Sequence, residues 1–221
     1  MKFDFDELTI KKQRRYKKKR MMRHENTGID TETYQGKALL ICDSFGRAKV
    51  LENFDDVITF LTYRGFKNKF NWFFNIRFDM EALIKHLPLE TLRELHTVGS
   101  IDYGYYSVQY LSQKFLKIRD NIREESYCFY DINNFLSTSL NQASKEYLGK
   151  EKYDKIDSAR LNVDIEYWKE NEEEIIHYCK IDAQLTKEVA DYFWNLIDEY
   201  IHFLPSAPYS KGAYSQEYFL Q

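Results

Sequence analysis

The stretch Gly28–Thr33 reads Gly-Ile-Asp-Thr-Glu-Thr and places two carboxylates two residues apart in a strand-like run. Because side chains two apart on a strand point to one face, we expect Asp30 and Glu32 to project together, with Ile29 and Thr31 on the opposite face. A pair of carboxylates is costly to bury without a counter-charge, and Mg²⁺ prefers such oxygen ligands. The stretch indicates a strand that carries a divalent-metal site or, on these residues alone, the solvated edge of a sheet.

Length and composition indicate a globular protein. The chain has 221 residues, of which 43% are hydrophobic and 17% aromatic, more than disordered segments carry and enough to form the core of one domain. Its three cysteines, Cys42, Cys128 and Cys179, are too scattered for a disulfide framework or a zinc cluster. We therefore expect reduced thiols. With no long apolar run and no apolar signal segment, we expect an intracellular, cytoplasmic protein with no membrane partner.

The charge is unevenly distributed along the chain. The net charge is −3, yet Lys11 to Arg23 holds nine basic residues and no acidic one. A basic arm joined to an acidic body is typical of a segment that contacts a polyanion. A solvated tail would have the same composition.

The order of hydrophobic patterns predicts an α/β fold with a mixed sheet. Glycine and proline mark the expected ends of several elements. The predicted strands are 28–34, 37–43, 47–51, 70–74, 105–111, 114–119 and 127–131, and the predicted helices are 55–65, 78–87, 133–148 and 165–204.

Two further acidic residues stand at notable places. Asp79 follows the aromatic strand 70–74, where an acid in the first turn of a helix is also favoured by the helix dipole. Asp182 lies in the last long helix, four residues after Tyr178 and therefore on the same face. Taken singly, Asp79 could be a helix-start acid and Asp182 a boundary residue paired with a lysine.

Together the three acidic sites resemble a known family. Asp-x-Glu on the first strand, Asn-x-x-Phe-Asp after a middle strand and Tyr-x-x-x-Asp on a late helix resemble the exonuclease superfamily named for its four acidic residues, in its tyrosine branch. Their order and spacing are similar to the proofreading domain of family B DNA polymerases, without the polymerase domain. The resemblance runs from about Thr27 to Phe193 and includes Tyr130-Asp131 and Leu148-Gly149.

The resemblance implies an RNase H-like fold with an inserted β-hairpin and a metal-dependent 3′→5′ exonuclease that uses two divalent ions, Mg²⁺ or Mn²⁺. It implies that Asp30, Glu32 and Asp182 hold one ion and that Asp30 and, more loosely, Asp79 hold the second. Tyr178 would orient the attacking water, since a phenol is a poor general base near neutral pH.

The resemblance also implies substrate contacts by Asn75, Phe78 and Thr33. An exposed aromatic ring can stack on a base of any sequence. The tyrosine-rich hairpin 103–119 is similar in position to a strand-separating hairpin, although tyrosine and valine are common in any hairpin.

A second branch of the superfamily has histidine five residues before the last aspartate, and His177 occupies that place. On a continuous helix Tyr178 lies about 40° around from Asp182 and His177 about 140° around, which favours Tyr178.

The expected layout is a basic arm (1–26), the exonuclease domain (27–204) and a tail (205–221) that resembles the linker to a polymerase palm. The chain could be a free-standing enzyme or the first part of a split polymerase, of viral, plasmid or mobile-element origin. Expected partners are single-stranded DNA or DNA 3′ ends and a DNA polymerase or replication protein. The alternatives are a non-catalytic nucleic-acid-binding subunit and an RNA 3′→5′ exonuclease.

Overall fold

The structure, a computed structural model, describes residues 25–151, 156–203, 205 and 207–219. The strands are β1 (Asn26–Tyr34), β2 (Lys37–Asp43), β3 (Ala48–Val50), β4 (Phe70–Phe73), β5 (Ser100–Tyr103), β6 (Tyr106–Leu111), β7 (Phe115–Asp120) and β8 (Glu125–Asp131). Within the described ranges these strands form one sheet in the order β3-β2-β1-β4-β8-β7-β6-β5. β1 runs antiparallel to β2 and parallel to β4, and β4 runs parallel to β8, so the sheet is mixed.

Helices cover both faces of the sheet. They are α1 (Phe54–Leu61), α2 (Ile76–Leu83), α3 (Leu89–Val98), α4 (Asn133–Leu136), α5 (Leu140–Ala143), α6 (Ser158–Leu161), α7 (Ile165–Glu170), α8 (Glu172–Ile201) and α9 (Lys211–Phe219). α1 begins with a capping box, in which Asn53 accepts from the backbone N–H of Asp56 and the Asp56 carboxylate accepts from the backbone N–H of Asn53.

Alternation along the central strands divides the core between the two faces. Ile29 and Phe73 pack with α1 and α2 on one face, whereas Trp72 packs with Ala190 and Trp194 of α8 on the other. Apolar layers on both sides of β4 explain why aromatic residues occupy three of its four positions. The three-layer arrangement confirms the predicted α/β fold and is consistent with an RNase H-like fold.

The structure departs from the predicted elements at several points. α3 and β5 were not predicted, and the predicted hairpin strands β6 and β7 extend the main sheet between β8 and β5. The helix expected over 133–148 is interrupted at Ser137, whose φ of 60° lies in the left-handed region.

Both ends of the predicted exonuclease domain differ in detail. β1 begins at Asn26, the last residue assigned to the basic arm, while the cluster Lys11–Arg23 lies outside the described residues. The predicted tail contains α9, whose Tyr214 ring lies 5.4 Å from the Phe203 ring and 6.3 Å from the Trp194 ring. None of the helices described is long and apolar enough to span a bilayer.

Candidate metal centre

The acidic residues of β1 and α8 meet in one open cleft. The cleft has a volume of about 330 Å³. Three predicted metal ligands and the predicted water-orienting tyrosine are among its lining residues, which are Asp30, Thr31, Glu32, Thr33, Gly36, Phe78, Ser158, Leu161, Asn162, Tyr178 and Asp182. The structure therefore brings together residues that lie about 150 positions apart in the sequence.

Close packing at Gly28 brings the two elements together. A Cβ at this position would lie 2.7 Å from the backbone nitrogen of Lys187 and closer still to the carbonyl oxygen of Ala183. Only glycine leaves room for α8 at this distance from β1. Asp182, one residue before Ala183, is thereby carried to the cleft that Asp30 lines.

Strand geometry gives Asp30 and Glu32 the common orientation that the sequence predicts. Both line the cleft, and Glu32 is only 8% exposed. Thr31 is turned so that its hydroxyl donates a 2.8 Å hydrogen bond to the Asp79 carboxylate of α2, and α2 packs on the opposite face of the sheet from α8. One face of β1 therefore carries Asp30 and Glu32, and the other contacts Asp79 through Thr31.

Helical periodicity separates Tyr178 from His177. Tyr178 is buried and lines the cleft with Asp182, whereas His177 is exposed and is not among the lining residues. The placement agrees with the arrangement expected for a continuous helix, since α8 runs unbroken from Glu172 to Ile201.

Asp79 lies beside the cleft and does not line it. It is 3% exposed, in the first turn of α2, which begins at Ile76 and not at Phe78 as predicted. The pKa of its carboxyl is raised to about 7, chiefly by burial and to a smaller extent by the Asp131 carboxylate, while the hydrogen bond from Thr31 opposes both effects. Its role as a metal ligand stays a prediction.

Asp131, at the end of β8, is a buried acid that the sequence did not single out as a site residue. It accepts hydrogen bonds from the backbone N–H groups of Asn75, at 3.0 Å, and Asn133, at 2.9 Å. Burial raises its pKa to about 6, against the effect of these bonds. The sequence signal that could have identified Asp131 is its place at the carboxyl end of β8, the strand that pairs with β4.

The predicted substrate residues are distributed differently. Phe78 is 55% exposed and lines the cleft, as does Thr33. Asn75 is exposed, is not a lining residue, and adopts a left-handed conformation (φ 74°, ψ 61°) at the start of α2. Asparagine tolerates this conformation better than most residues, so backbone geometry alone accounts for its presence.

Asn162, which the sequence did not reveal, joins the two walls of the cleft. Its side-chain oxygen accepts from the backbone N–H of Gly36 at 3.0 Å and from the Thr33 hydroxyl at 3.4 Å. Its backbone carbonyl accepts from the N–H of Gln35 at 2.8 Å. The segment after α6 is thereby tied to the turn between β1 and β2.

The donor set fits a divalent cation. One carboxylate oxygen of Asp30, one of Glu32 and the Cys179 sulfur lie within 4.8 Å of one another. Converging carboxylates repel one another, and a cation removes that repulsion. Asp182 lines the same cleft and supplies a third carboxylate.

Comparison with known proteins gives one distant match. No protein-family model and no curated protein matches the sequence. A solved structure of phi29 DNA polymerase complexed with single-stranded DNA matches 83% of this chain and 33% of that chain, with 14% identity and a TM-score of 0.42. The chain thus spans about a third of the length of that polymerase.

Proposed function

We propose that the protein is a metal-dependent 3′→5′ exonuclease that hydrolyses phosphodiester bonds at DNA 3′ ends, with a preference for single strands. The observation that carries the proposal is the cleft in which Asp30, Glu32, Asp182 and Tyr178 converge from β1 and α8. The expected partners are single-stranded DNA and a DNA polymerase or replication protein.

The acidic residues bind the ions in this proposal. Asp30, Glu32 and Asp182 hold one divalent ion, and Asp30 with Asp79 holds a second, either Mg²⁺ or Mn²⁺. When bound, such ions lower the pKa of a water molecule and neutralise charge on the leaving oxygen. Tyr178, buried on α8 beside Asp182, positions the attacking water through its hydroxyl.

The remaining cleft residues position the substrate. The exposed ring of Phe78 offers a surface on which the terminal base stacks, and such stacking contributes about 1 to 3 kcal/mol per base irrespective of sequence. Thr33 and Asn162 also line the cleft. The side-chain amide nitrogen of Asn162 can donate to phosphate or sugar oxygens, and the Thr33 hydroxyl oxygen can accept from a sugar hydroxyl while it donates to Asn162.

Digestion of a 5′-labelled single-stranded oligonucleotide tests the proposal. With Mg²⁺ or Mn²⁺ we expect a ladder that shortens from the 3′ end, and we expect Asp30→Asn and Asp182→Asn to abolish it. Glu199→Gln is the matched control, because Glu199 is an exposed acid of the same helix far along from the cleft.

Other outcomes would replace the proposal. Tight binding of the oligonucleotide without any shortening would leave a nucleic-acid-binding subunit. Faster digestion of RNA than of DNA of the same sequence would change the substrate class. Digestion that survives both aspartate variants would place the reaction outside this cleft.

A further inference from the structure

A buried thiol adjoins the acidic group of the cleft. Cys179 follows Tyr178 on α8 and is fully buried, with its sulfur 3.5 Å from the carbonyl oxygen of Asp30. The same sulfur lies within 4.8 Å of a carboxylate oxygen of Asp30 and of Glu32. Two hard oxygen donors of the cleft and one soft sulfur donor therefore lie close together, although Cys179 is not itself a lining residue of the cleft.

This donor set is unusual for magnesium and suited to zinc or cadmium. Mg²⁺ takes oxygen ligands in octahedral geometry, whereas Zn²⁺ and Cd²⁺ accept thiolate together with carboxylate. With zinc bonds of about 2.3 Å to sulfur and about 2.0 to 2.2 Å to oxygen, tetrahedral geometry puts two donors of one ion roughly 3.3 to 3.7 Å apart. The three donor atoms lie within 4.8 Å of one another, so each pair has to approach by at most roughly 1.5 Å to bind one zinc ion.

We propose that Asp30, Glu32 and Cys179 form a binding site for a thiophilic divalent ion, Zn²⁺ or Cd²⁺, which competes with the catalytic ions for the two carboxylates. Binding breaks the S–H bond heterolytically, the proton passes to solvent, and a sulfur–metal bond forms without any change of oxidation state. The competition rests on the proposed function, in which Asp30 and Glu32 hold Mg²⁺ or Mn²⁺, and it makes the nuclease sensitive to traces of zinc-group ions.

Cadmium binding to the intact, metal-free protein tests the site without DNA. Titration with Cd²⁺ should produce the ultraviolet charge-transfer absorption of a cadmium–thiolate bond, saturating at one ion per chain with release of a proton. Cys179→Ser should remove the absorption and weaken Cd²⁺ binding at least tenfold. Asp30→Asn should weaken binding at least tenfold while the thiol remains.

Cys42→Ser is the matched control. Cys42 is a second fully buried thiol that pairs with Asp30 across β1 and β2 and lies in hydrogen-bond contact with Cys179, but it is outside the three-donor group. The absorption should persist in this variant. Thermal melting of each variant shows whether it is folded before binding is compared.

The cadmium–thiolate absorption band tests the proposed ligands independently of nuclease activity. Loss of the band in Cys42→Ser, or its survival in Cys179→Ser, would overturn the proposed ligands. A protein that digests DNA but shows no cadmium–thiolate band would refute this inference and leave the proposed function intact. A protein that shows the band but no nuclease activity would support the metal site, but it would refute the proposed competition with catalytic ions.

Discussion

Replacement of Gly28 by alanine should separate β1 and α8, the two elements that build the candidate metal centre. The added methyl carbon would lie 2.7 Å from the Lys187 nitrogen and closer to the Ala183 oxygen, whereas ordinary contact begins at 3.4 Å. Both atoms belong to the backbone of α8, so no side chain can turn away. The helix must withdraw by roughly 1 Å or more to restore van der Waals contact.

Two magnitudes follow from that displacement. Overpacking of this kind costs about 1 to 3 kcal/mol of unfolding free energy. Since Asp182 moves with the helix, the carboxylates of Asp30 and Asp182 lose their relative position, and a misplacement of about 1 Å in a catalytic group reduces turnover about 100-fold. We therefore expect Gly28→Ala to fold, to be less stable, and to lose most of its activity.

Urea unfolding and the oligonucleotide assay measure the two effects. Gly212→Ala is the control, because a Cβ there meets only the Ser210 hydroxyl at 4.0 Å, and alanine within α9 should raise stability by up to about 1 kcal/mol. Wild-type stability together with wild-type turnover in Gly28→Ala would refute the argument that this glycine sets the spacing of β1 and α8.

Three further predictions concern the acid beside the cleft, the core and the cleft wall. Because the pKa of Asp79 is raised to about 7 in the folded state, folding retains a proton that the unfolded chain releases near pH 4, so stability should fall between about pH 4 and 7. Urea unfolding across that range should show a shallower fall in Asp79→Asn; an unchanged slope would contradict the shift. Trp72→Ala should cost about 3 to 5 kcal/mol in urea unfolding, since the fully buried indole stacks on Trp194 and donates to Asn26; a cost below 1 kcal/mol would contradict this packing. Asn162→Ala should reduce stability by only about 1 kcal/mol but weaken single-strand binding several-fold in a fluorescence titration, because it frees the turn between β1 and β2; unchanged binding would contradict the tie.

Periodicity and turn residues predicted the elements that form the centre of the sheet. β1, β2, β4 and β8 lie within a few residues of the predicted strands, because each is bounded by polar turns and alternates or is wholly apolar. α3 was missed for a different reason: among its residues only Leu95 is buried, so its hydrophobic stripe is weak. Pro88 directly follows the predicted helix 78–87 and predicts its end, but a proline also suits the start of the next helix, as it does before α3.

The sequence predicts the strands and helices that carry the site, but it does not show how these elements pack against one another. Period-two alternation places Asp30 and Glu32 on one face of β1, and the four-residue helical spacing places Tyr178 with Asp182, so each half of the cleft is local information. Nothing local states that Cys179 faces the carboxylates, or that Asn162 closes the far wall. Those contacts depend on the angle and distance at which α8 and the segment after α6 meet the sheet.

Asp79 is the predicted metal ligand whose place in the candidate metal centre depends most on tertiary packing. Motif spacing groups it with Asp30 and Asp182, yet the structure hydrogen-bonds it to Thr31. Thr31 also lines the cleft, but strand alternation turns its side chain to the face of β1 opposite Glu32. A carboxyl whose pKa is about 7 is partly protonated at neutral pH, so a cation that binds Asp79 must displace a proton. A nearby divalent ion would favour its ionised form and draw it away from the Thr31 hydroxyl. Under the proposed function we therefore expect the ion site that Asp79 completes to be the weaker of the two.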